Sequence, residues 1–263
     1  MTAQHIDLFR LDGKSALITG AGGGIGRAVS LGMAAQGAAI TCVDIDEGRG
    51  NRTVELVQQA GGRASALIMD VGSTEAAELA VAKAVEEFGS LDILVNLAGN
   101  GILKPALDYN LEEWGHMENL YLRSTFLFCQ AAGAVMLRQG SGSVINISSI
   151  SSIVALGRGT AVYAAMKAGV NGLTRELALE WARGGVRVNA IAPCQIDTPQ
   201  LRAMLEDPQF DAEQLMKKWL SYIPIGRLGR PEELVGPCVF LGSNASSLVT
   251  GHVLVVDGGY TIH

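Results

Sequence analysis

Residues 15–26 read SALITGAGGGIG, and the fold class turns on this stretch. Ser15–Thr19 is a short, mostly apolar run suited to a strand buried on both faces. Gly20, Gly22, Gly23, Gly24 and Gly26 crowd the turn that follows, and a run of small residues then predicts a helix over 26–36. Glycines at a strand-to-helix turn let the backbone bend sharply and lie close to a diphosphate. The unpaired N–H groups at the helix N-terminus attract such an anion. Gly20, Gly22, Gly24, Ile25 and Gly26 are therefore the candidate phosphate-binding residues.

A second strand, predicted over 39–43, runs into Asp44, 18 positions after Gly26. A carboxylate there can accept hydrogen bonds from both ribose hydroxyls of NAD and would repel a 2′-phosphate. The simpler alternative is that Asp44 caps the next helix. The glycine loop itself carries no Arg or Lys, although Arg27 follows, so NAD is expected over NADP.

Outward from this unit, apolar runs alternate with longer helical stretches. Strands are predicted at 64–69, 91–96, 143–147, 186–191 and 252–256, and helices at 47–60, 74–88, 111–138, 163–183 and 231–241. The long helix at 111–138 is expected to break near its start. Strands apolar on both faces and separated by helices imply an α/β doubly wound Rossmann fold, a parallel sheet with helices on both faces. No linker or repeat divides the chain, so a single domain over 1–263 is expected. The stretch 198–223 departs from the rhythm, with mixed charge and long side chains. It reads as an irregular insertion, a small lid over the carboxyl edge of the sheet.

The bulk composition narrows the function. Of 263 residues, 48% are hydrophobic and 17% charged, enough apolar material for a buried core. A net charge of −6, without a Lys/Arg run, argues against nucleic acid as a partner. Cys42, Cys129, Cys194 and Cys238 are widely spaced, which fits a reducing compartment rather than a disulfide framework. His5, His116, His252 and His263 have no metal-ligand spacing, so no metal site is expected. The first residues lack a signal-peptide pattern, and no stretch reads as long and apolar enough to span a bilayer, so a cytoplasmic location is expected.

A second constellation carries chemistry. Asn146-Ile147-Ser148-Ser149 closes a predicted strand, and Tyr163-Ala164-Ala165-Met166-Lys167 opens a predicted helix. Tyr163 and Lys167, four apart, share one helix face. A nearby ammonium favours the phenolate, and the Ser149 hydroxyl can hold a substrate oxygen beside it. Hydride transfer needs these parts, with a cofactor taking the hydride and the tyrosine handling the proton.

With these segments in view, the chain resembles the short-chain dehydrogenase/reductase family over almost its whole length. The likeness is carried by TGAGGGIG at residues 19–26, Asp70-Val71, Asn96-Leu97-Ala98-Gly99, NISS before YAAMK, Val188-Asn189-Ala190-Ile191-Ala192-Pro193, and Val256-Asp257-Gly258-Gly259. The resemblance implies Tyr163 as catalytic acid/base and Lys167 as the group that lowers its pKa and contacts the nicotinamide ribose. It implies Ser149 as the residue holding the substrate oxygen. It also implies adenine contacts from Asp70 and Val71 and a cofactor border at Asn96, Ala98 and Gly99. A loop at Pro193, Ile196 and Thr198 would meet the carboxamide. A homotetramer, or a dimer, is implied in the same way.

The chain departs from the family pattern at four places. Leu97 stands where a second Asn is usual, and Cys194 where a Gly is usual. Ser149 precedes Tyr163 by 14 positions, and the family's more common 13 would fall on Ile150, which has no hydroxyl. Ser149 with a one-residue loop insertion is the reading adopted. Ser151 is a weaker candidate, and Ser148 is expected to point towards the sheet. Many members also carry an Asn on the long helix that completes a proton relay to the lysine; the family spacing lands on Tyr121. Asn119 lies two residues earlier, about 200° round a helix. Either the relay runs through another group or a local helix distortion brings Asn119 round.

The expected activity is NAD-dependent interconversion of a secondary alcohol, polyol or sugar-derived, and its ketone. The terminal segments Phe9–Gly13 and Asp257–Thr261 resemble polyol dehydrogenases of the family. The alternatives are a ketoacyl or ketosteroid reductase, or a non-catalytic dinucleotide sensor. Trp114 and Trp181 are expected to pack. Trp219, with Met204, Leu205, Met216 and Tyr222, is a candidate apolar wall over the substrate.

Overall fold

The structure is a computed structural model that describes residues 8–157, 159–206 and 211–262. Its seven strands are β1 (Ser15–Thr19), β2 (Ala39–Asp44), β3 (Ala64–Ile68), β4 (Ile93–Asn96), β5 (Gly142–Ile147), β6 (Val186–Pro193) and β7 (Val253–Val256). They form one sheet in the order β3-β2-β1-β4-β5-β6-β7, and every neighbouring pair is parallel. The expected doubly wound Rossmann architecture is thus observed. His5, His263 and residues 207–210 of the expected lid lie outside the described residues.

The helices are α1 (Gly24–Ala35), α2 (Glu47–Gln59), α3 (Ala76–Phe88), α4 (Leu111–Glu118), α5 (Ser124–Gln139), α6 (Ala161–Trp181), α7 (Pro199–Glu206), α8 (Ala212–Tyr222) and α9 (Val235–Gly242). Successive side chains on a strand point to opposite faces, so the central strands feed two cores. Ala16, Ile18, Ile40, Cys42, Ile93, Val95 and Ile145 meet Val29 and Met33 of α1 and Cys238 and Leu241 of α9. Leu17, Val43, Leu94, Val144 and Val188 face the other way. They meet Ala80 and Ala84 of α3, Phe128, Ala132 and Met136 of α5, and Leu177 of α6.

Three expectations need correction. First, the lid stretch is not irregular: it forms α7 and α8, the second capped by Asp211, whose carboxylate accepts from the Gln214 N–H at 2.9 Å. Its apolar side chains recur at helical spacing: Leu215, Met216, Trp219 and Leu220 of α8 are buried or half-buried, while Glu213, Lys217 and Lys218 are exposed. Second, the break in the long helix is a π-helical turn, Asn119–Arg123, joining α4 to α5 without interruption. Third, the combined run Leu111–Gln139 is long and apolar enough, by length and composition, to cross a membrane. Phe128, Cys129, Ala132 and Met136 on it are buried in the second core, so the apolarity is that of a helix packed on the sheet.

Candidate active site

The glycine loop fills the turn between β1 and α1, at the crevice where β1 and β4 lie side by side and the strand order reverses. Its glycines are required by close backbone approach. A Cβ at Gly20, where φ is +67°, would stand 2.9 Å from the Ala98 Cα. One at Gly22 would stand 2.9 Å from Asp44 Oδ2, and one at Gly26 would run into the Gly20 carbonyl oxygen. A Cβ at Gly24 would touch Pro199 and Thr198, both at 3.2 Å, so the lid's first residues close over the loop. Thr19 ties the two sides of the crevice together: its hydroxyl accepts from the Leu97 N–H at 3.0 Å and the Ala98 N–H at 3.1 Å.

The N-terminus of α1 has no side-chain cap and no acidic residue in its first turn. Its positive end is left without a compensating side chain, beside a loop no bulkier residue could line. That combination suits a diphosphate. Asp44, buried at the end of β2, accepts from the Gly22 N–H at 2.8 Å and the Asp46 N–H at 3.0 Å. It is not the cap of α2. That role belongs to Asp46, which accepts from the Arg49 N–H at 2.8 Å. Arg27 is turned to the Gly22 carbonyl at 3.0 Å and the Thr53 hydroxyl at 3.2 Å.

Across the crevice, Ser149 begins the short 3-10 turn Ile150–Ser152 that follows β5, and Tyr163 and Lys167 lie in the first two turns of α6. The Ser149 hydroxyl stands beside Tyr163: burial pushes the tyrosine phenol up, and the hydrogen bond from Ser149 draws it back. Lys167 is buried, and burial pulls its ammonium down to about 7. Its Nζ donates to the Ile147 carbonyl at 2.6 Å and lies 5.8 Å from the Tyr163 ring centroid. The ammonium is bound to the Ile147 carbonyl and, among the described residues, makes no direct hydrogen bond to the Tyr163 phenol. The 3-10 turn lies between Ser149 and Tyr163. Ser149 is its N-cap, while Ile150 is buried against Ile223 and Tyr260. Ser148, expected to point towards the sheet, instead turns to α6 and the 3-10 turn: its hydroxyl donates to the Lys167 carbonyl at 3.4 Å and lies 3.1 Å from the Ser152 hydroxyl.

A sequence profile for the family described as Enoyl-(Acyl carrier protein) reductase matches residues 20–261. The chain belongs to the short-chain dehydrogenase/reductase family. It is 42% identical to D-threitol dehydrogenase of Mycolicibacterium smegmatis, over 97% of this chain and 95% of that protein. It is 39% identical to 2-dehydro-3-deoxy-D-gluconate 5-dehydrogenase of Escherichia coli, over 97% of this chain and 98% of that one. A gluconate 5-dehydrogenase from Burkholderia cenocepacia, solved in complex with NADP and tartrate, superposes with a TM-score of 0.90 at 35% identity. That match covers 98% of this chain and 99% of the other. This short-chain dehydrogenase/reductase is accordingly an oxidoreductase with a dinucleotide cofactor.

The remaining family positions divide into those at the crevice and those turned elsewhere. Asn96 donates to Asn146 Oδ1 at 2.9 Å and to Cys129 Sγ at 3.4 Å, so it braces the sheet from within. Asp70 is exposed and accepts from the Gly72 N–H at 2.8 Å, whereas Val71 is buried in the second core. Pro193 ends β6, and Ile196 pairs with Gly229 in a parallel bridge. The Thr198 hydroxyl accepts from the Leu201 N–H at 3.2 Å at the start of α7. In the lid, Trp219 is buried, but the exposed Tyr222 packs on the Tyr260 ring at 5.6 Å.

The π-turn does not bring Asn119 to the lysine. Its amide donates to the Gly72 carbonyl at 3.2 Å, on the side of β3, and Tyr121 occupies the place beside Lys167 and Tyr163. Sequence reasoning also missed the supports of Ser149. Ser152 donates to the Ser149 carbonyl at 2.5 Å and accepts from Asn171 Nδ2 at 2.8 Å. Asn171 lies four residues after Lys167 on the same face of α6, and that spacing was its available signal.

Proposed function

We propose that this chain is an NAD-dependent dehydrogenase that interconverts a secondary alcohol of polyol or sugar type and its ketone. The observation that carries the reading is the meeting of Ser149, Tyr163 and Lys167 across a crevice from a glycine cradle in which a Cβ at Gly20, Gly22 or Gly26 would collide with its neighbours. Gly20, Gly22, Gly24, Ile25 and Gly26 hold the diphosphate, and Asp44 holds the adenosine ribose. Asp44 is buried, held by two backbone N–H groups and not needed as a helix cap, so its carboxylate is free to select against a 2′-phosphate. Bound NAD supplies the hydride acceptor. The chain's own work is with the proton. Ser149 holds the substrate oxygen, Tyr163 takes the hydroxyl proton, and the ammonium of Lys167 stabilises the phenolate that results. In the reverse direction Tyr163 returns the proton to the ketone oxygen.

The polyol or sugar class is favoured by the names of the relatives, a threitol dehydrogenase and a dehydrogenase of a deoxy sugar acid. A cytoplasmic setting fits the four free thiols, and the tetramer implied by the family resemblance belongs to the same proposal. The test is NADH formation from NAD with a panel of polyols, sugars and hydroxy acids, run beside Tyr163→Phe. The expected result is turnover with at least one polyol that falls by about 10²–10⁴-fold in the variant, a range typical of general acid–base catalysis. Turnover that survives Tyr163→Phe would remove the proton role, and tighter use of NADP than NAD would remove the Asp44 reading.

A further inference from the structure

Lys167 is a buried ammonium, yet among the described residues no carboxylate pairs with it, and burial dominates its titration. Two groups hold its Nζ. The Ile147 carbonyl accepts from it at 2.6 Å, and the Tyr121 ring lies under it with the centroid 4.6 Å away. Tyr163 contributes a more distant ring at 5.8 Å, and the Ser148 hydroxyl reaches the backbone carbonyl of Lys167 but not its ammonium. An aromatic face within about 6 Å attracts a cation, most strongly where water is excluded.

The surroundings are shaped to keep that ring in place. Tyr121 is buried and meets Tyr163 edge-on, with ring centroids 5.2 Å apart at 79°. A Cβ at Gly99 would run into the Tyr121 ring, and one at Gly101 would stand 2.6 Å from Tyr121 Cε2 and 2.7 Å from its hydroxyl. The Thr125 hydroxyl donates to the Tyr121 carbonyl at 2.8 Å. The ring thus fills a slot that two glycines leave open.

We propose that Tyr121 is a positioning residue for Lys167, its ring face seating the ammonium opposite the Ile147 carbonyl, at the position where the family pattern has an asparagine. The inference rests on the Ser149–Tyr163–Lys167 reading for its catalytic consequence. Burial and the neighbouring Tyr163 push the Tyr121 phenol upwards, so Tyr121 stays neutral and acts through its ring rather than as a proton carrier. The ring favours the charged form of Lys167 and keeps that charge near Tyr163, where it supports the phenolate.

The test follows Lys167 by NMR of protein carrying nitrogen-labelled lysine, with the signal assigned by its loss in Lys167→Met. Wild type, Tyr121→Phe, Tyr121→Leu and Tyr121→Met are compared, the last as a second non-aromatic variant should leucine not fold. Tyr121→Phe keeps the wild-type midpoint. The non-aromatic variants lower it by about one pH unit, as loss of a desolvated cation–π contact predicts. Their kcat at neutral pH falls by about tenfold, because a neutral lysine no longer supports the phenolate, while KM for NAD stays near wild type. An unchanged lysine midpoint in the folded non-aromatic variants overturns the proposal. So does a Tyr121→Phe variant as impaired as Tyr121→Leu, since that assigns the role to the hydroxyl. The titration needs no substrate, so an inactive wild type would strike the dehydrogenase reading and leave the outcome for Tyr121 intact.

Discussion

On the side of the crevice formed by β1, β2 and β3, the decisive contacts are between backbones. Gly20 lies against Ala98, Gly26 against the Gly20 carbonyl, and Asp44 is gripped by two backbone N–H groups. On the side of β5 and α6, the contacts are between side chains from separate elements. Ser149 is steadied by Ser152 and Asn171, and Lys167 lies between the Ile147 carbonyl and the Tyr121 ring. A backbone surface needs only the absence of side chains, which a short run of glycines supplies locally. A side-chain surface needs several elements to arrive at the right rotation, so its precision depends on packing well outside the motif.

Three substitutions probe this contrast, from the largest expected effect to the smallest. Gly26→Ala drives a methyl into the Gly20 carbonyl oxygen. Overpacking of this kind costs about 1–3 kcal/mol, so thermal stability falls and NADH affinity drops by up to about a hundredfold. A Gly26→Ala protein that binds NADH normally in a fluorescence titration would break the claim that backbone proximity makes the cradle.

Asp44→Ala tests a charged side chain on the cofactor side. Loss of hydrogen bonds to a charged acceptor, each contributing about 1.5–3 kcal/mol, lowers the NAD-over-NADP preference in kcat/KM by about 10–100-fold. A preference that does not move would mean the selection lies elsewhere on the loop. Ser152→Ala probes the other side. It removes the link between Asn171 and the Ser149 carbonyl. A single neutral hydrogen bond contributes about 1 kcal/mol, so kcat should fall about fivefold with NADH affinity unchanged in the same titration. If NADH binding also weakened, the two sides would be coupled more tightly than the contacts suggest.

Much of the frame was legible before the structure. The strand runs alternate with helices as expected, and the β1 bounds coincide with the reading of Ser15–Thr19. Period and composition were enough there, because the central strands feed both cores and are mostly apolar. The signal for α8 was present, with Leu215, Met216, Trp219 and Leu220 at helical spacing, but the mixed charge of its exposed face masked it. The long-helix distortion was expected near its start, but its consequence was not readable: Asn119 turns to Gly72 and Tyr121 to Lys167. Thr19, Ser152 and Asn171 were missed as supports because a hydroxyl or amide in a motif does not reveal its partner.

The sequence by itself determined the doubly wound order, the glycine cradle, the acid at the end of β2 and the pairing of Tyr163 with Lys167 on one helix face. Each of these depends on spacing within a single strand, turn or helix, where geometry follows directly from residue number. The tertiary structure alone decided that Asp46, not Asp44, caps α2 and that Ser149 caps a 3-10 turn. It also decided that an aromatic ring lies beneath the buried ammonium. In an α-helix each residue advances the face by about 100°, so a one-residue change of phase in a π-turn redirects every side chain beyond it. Only the packing of the neighbouring elements fixes that phase.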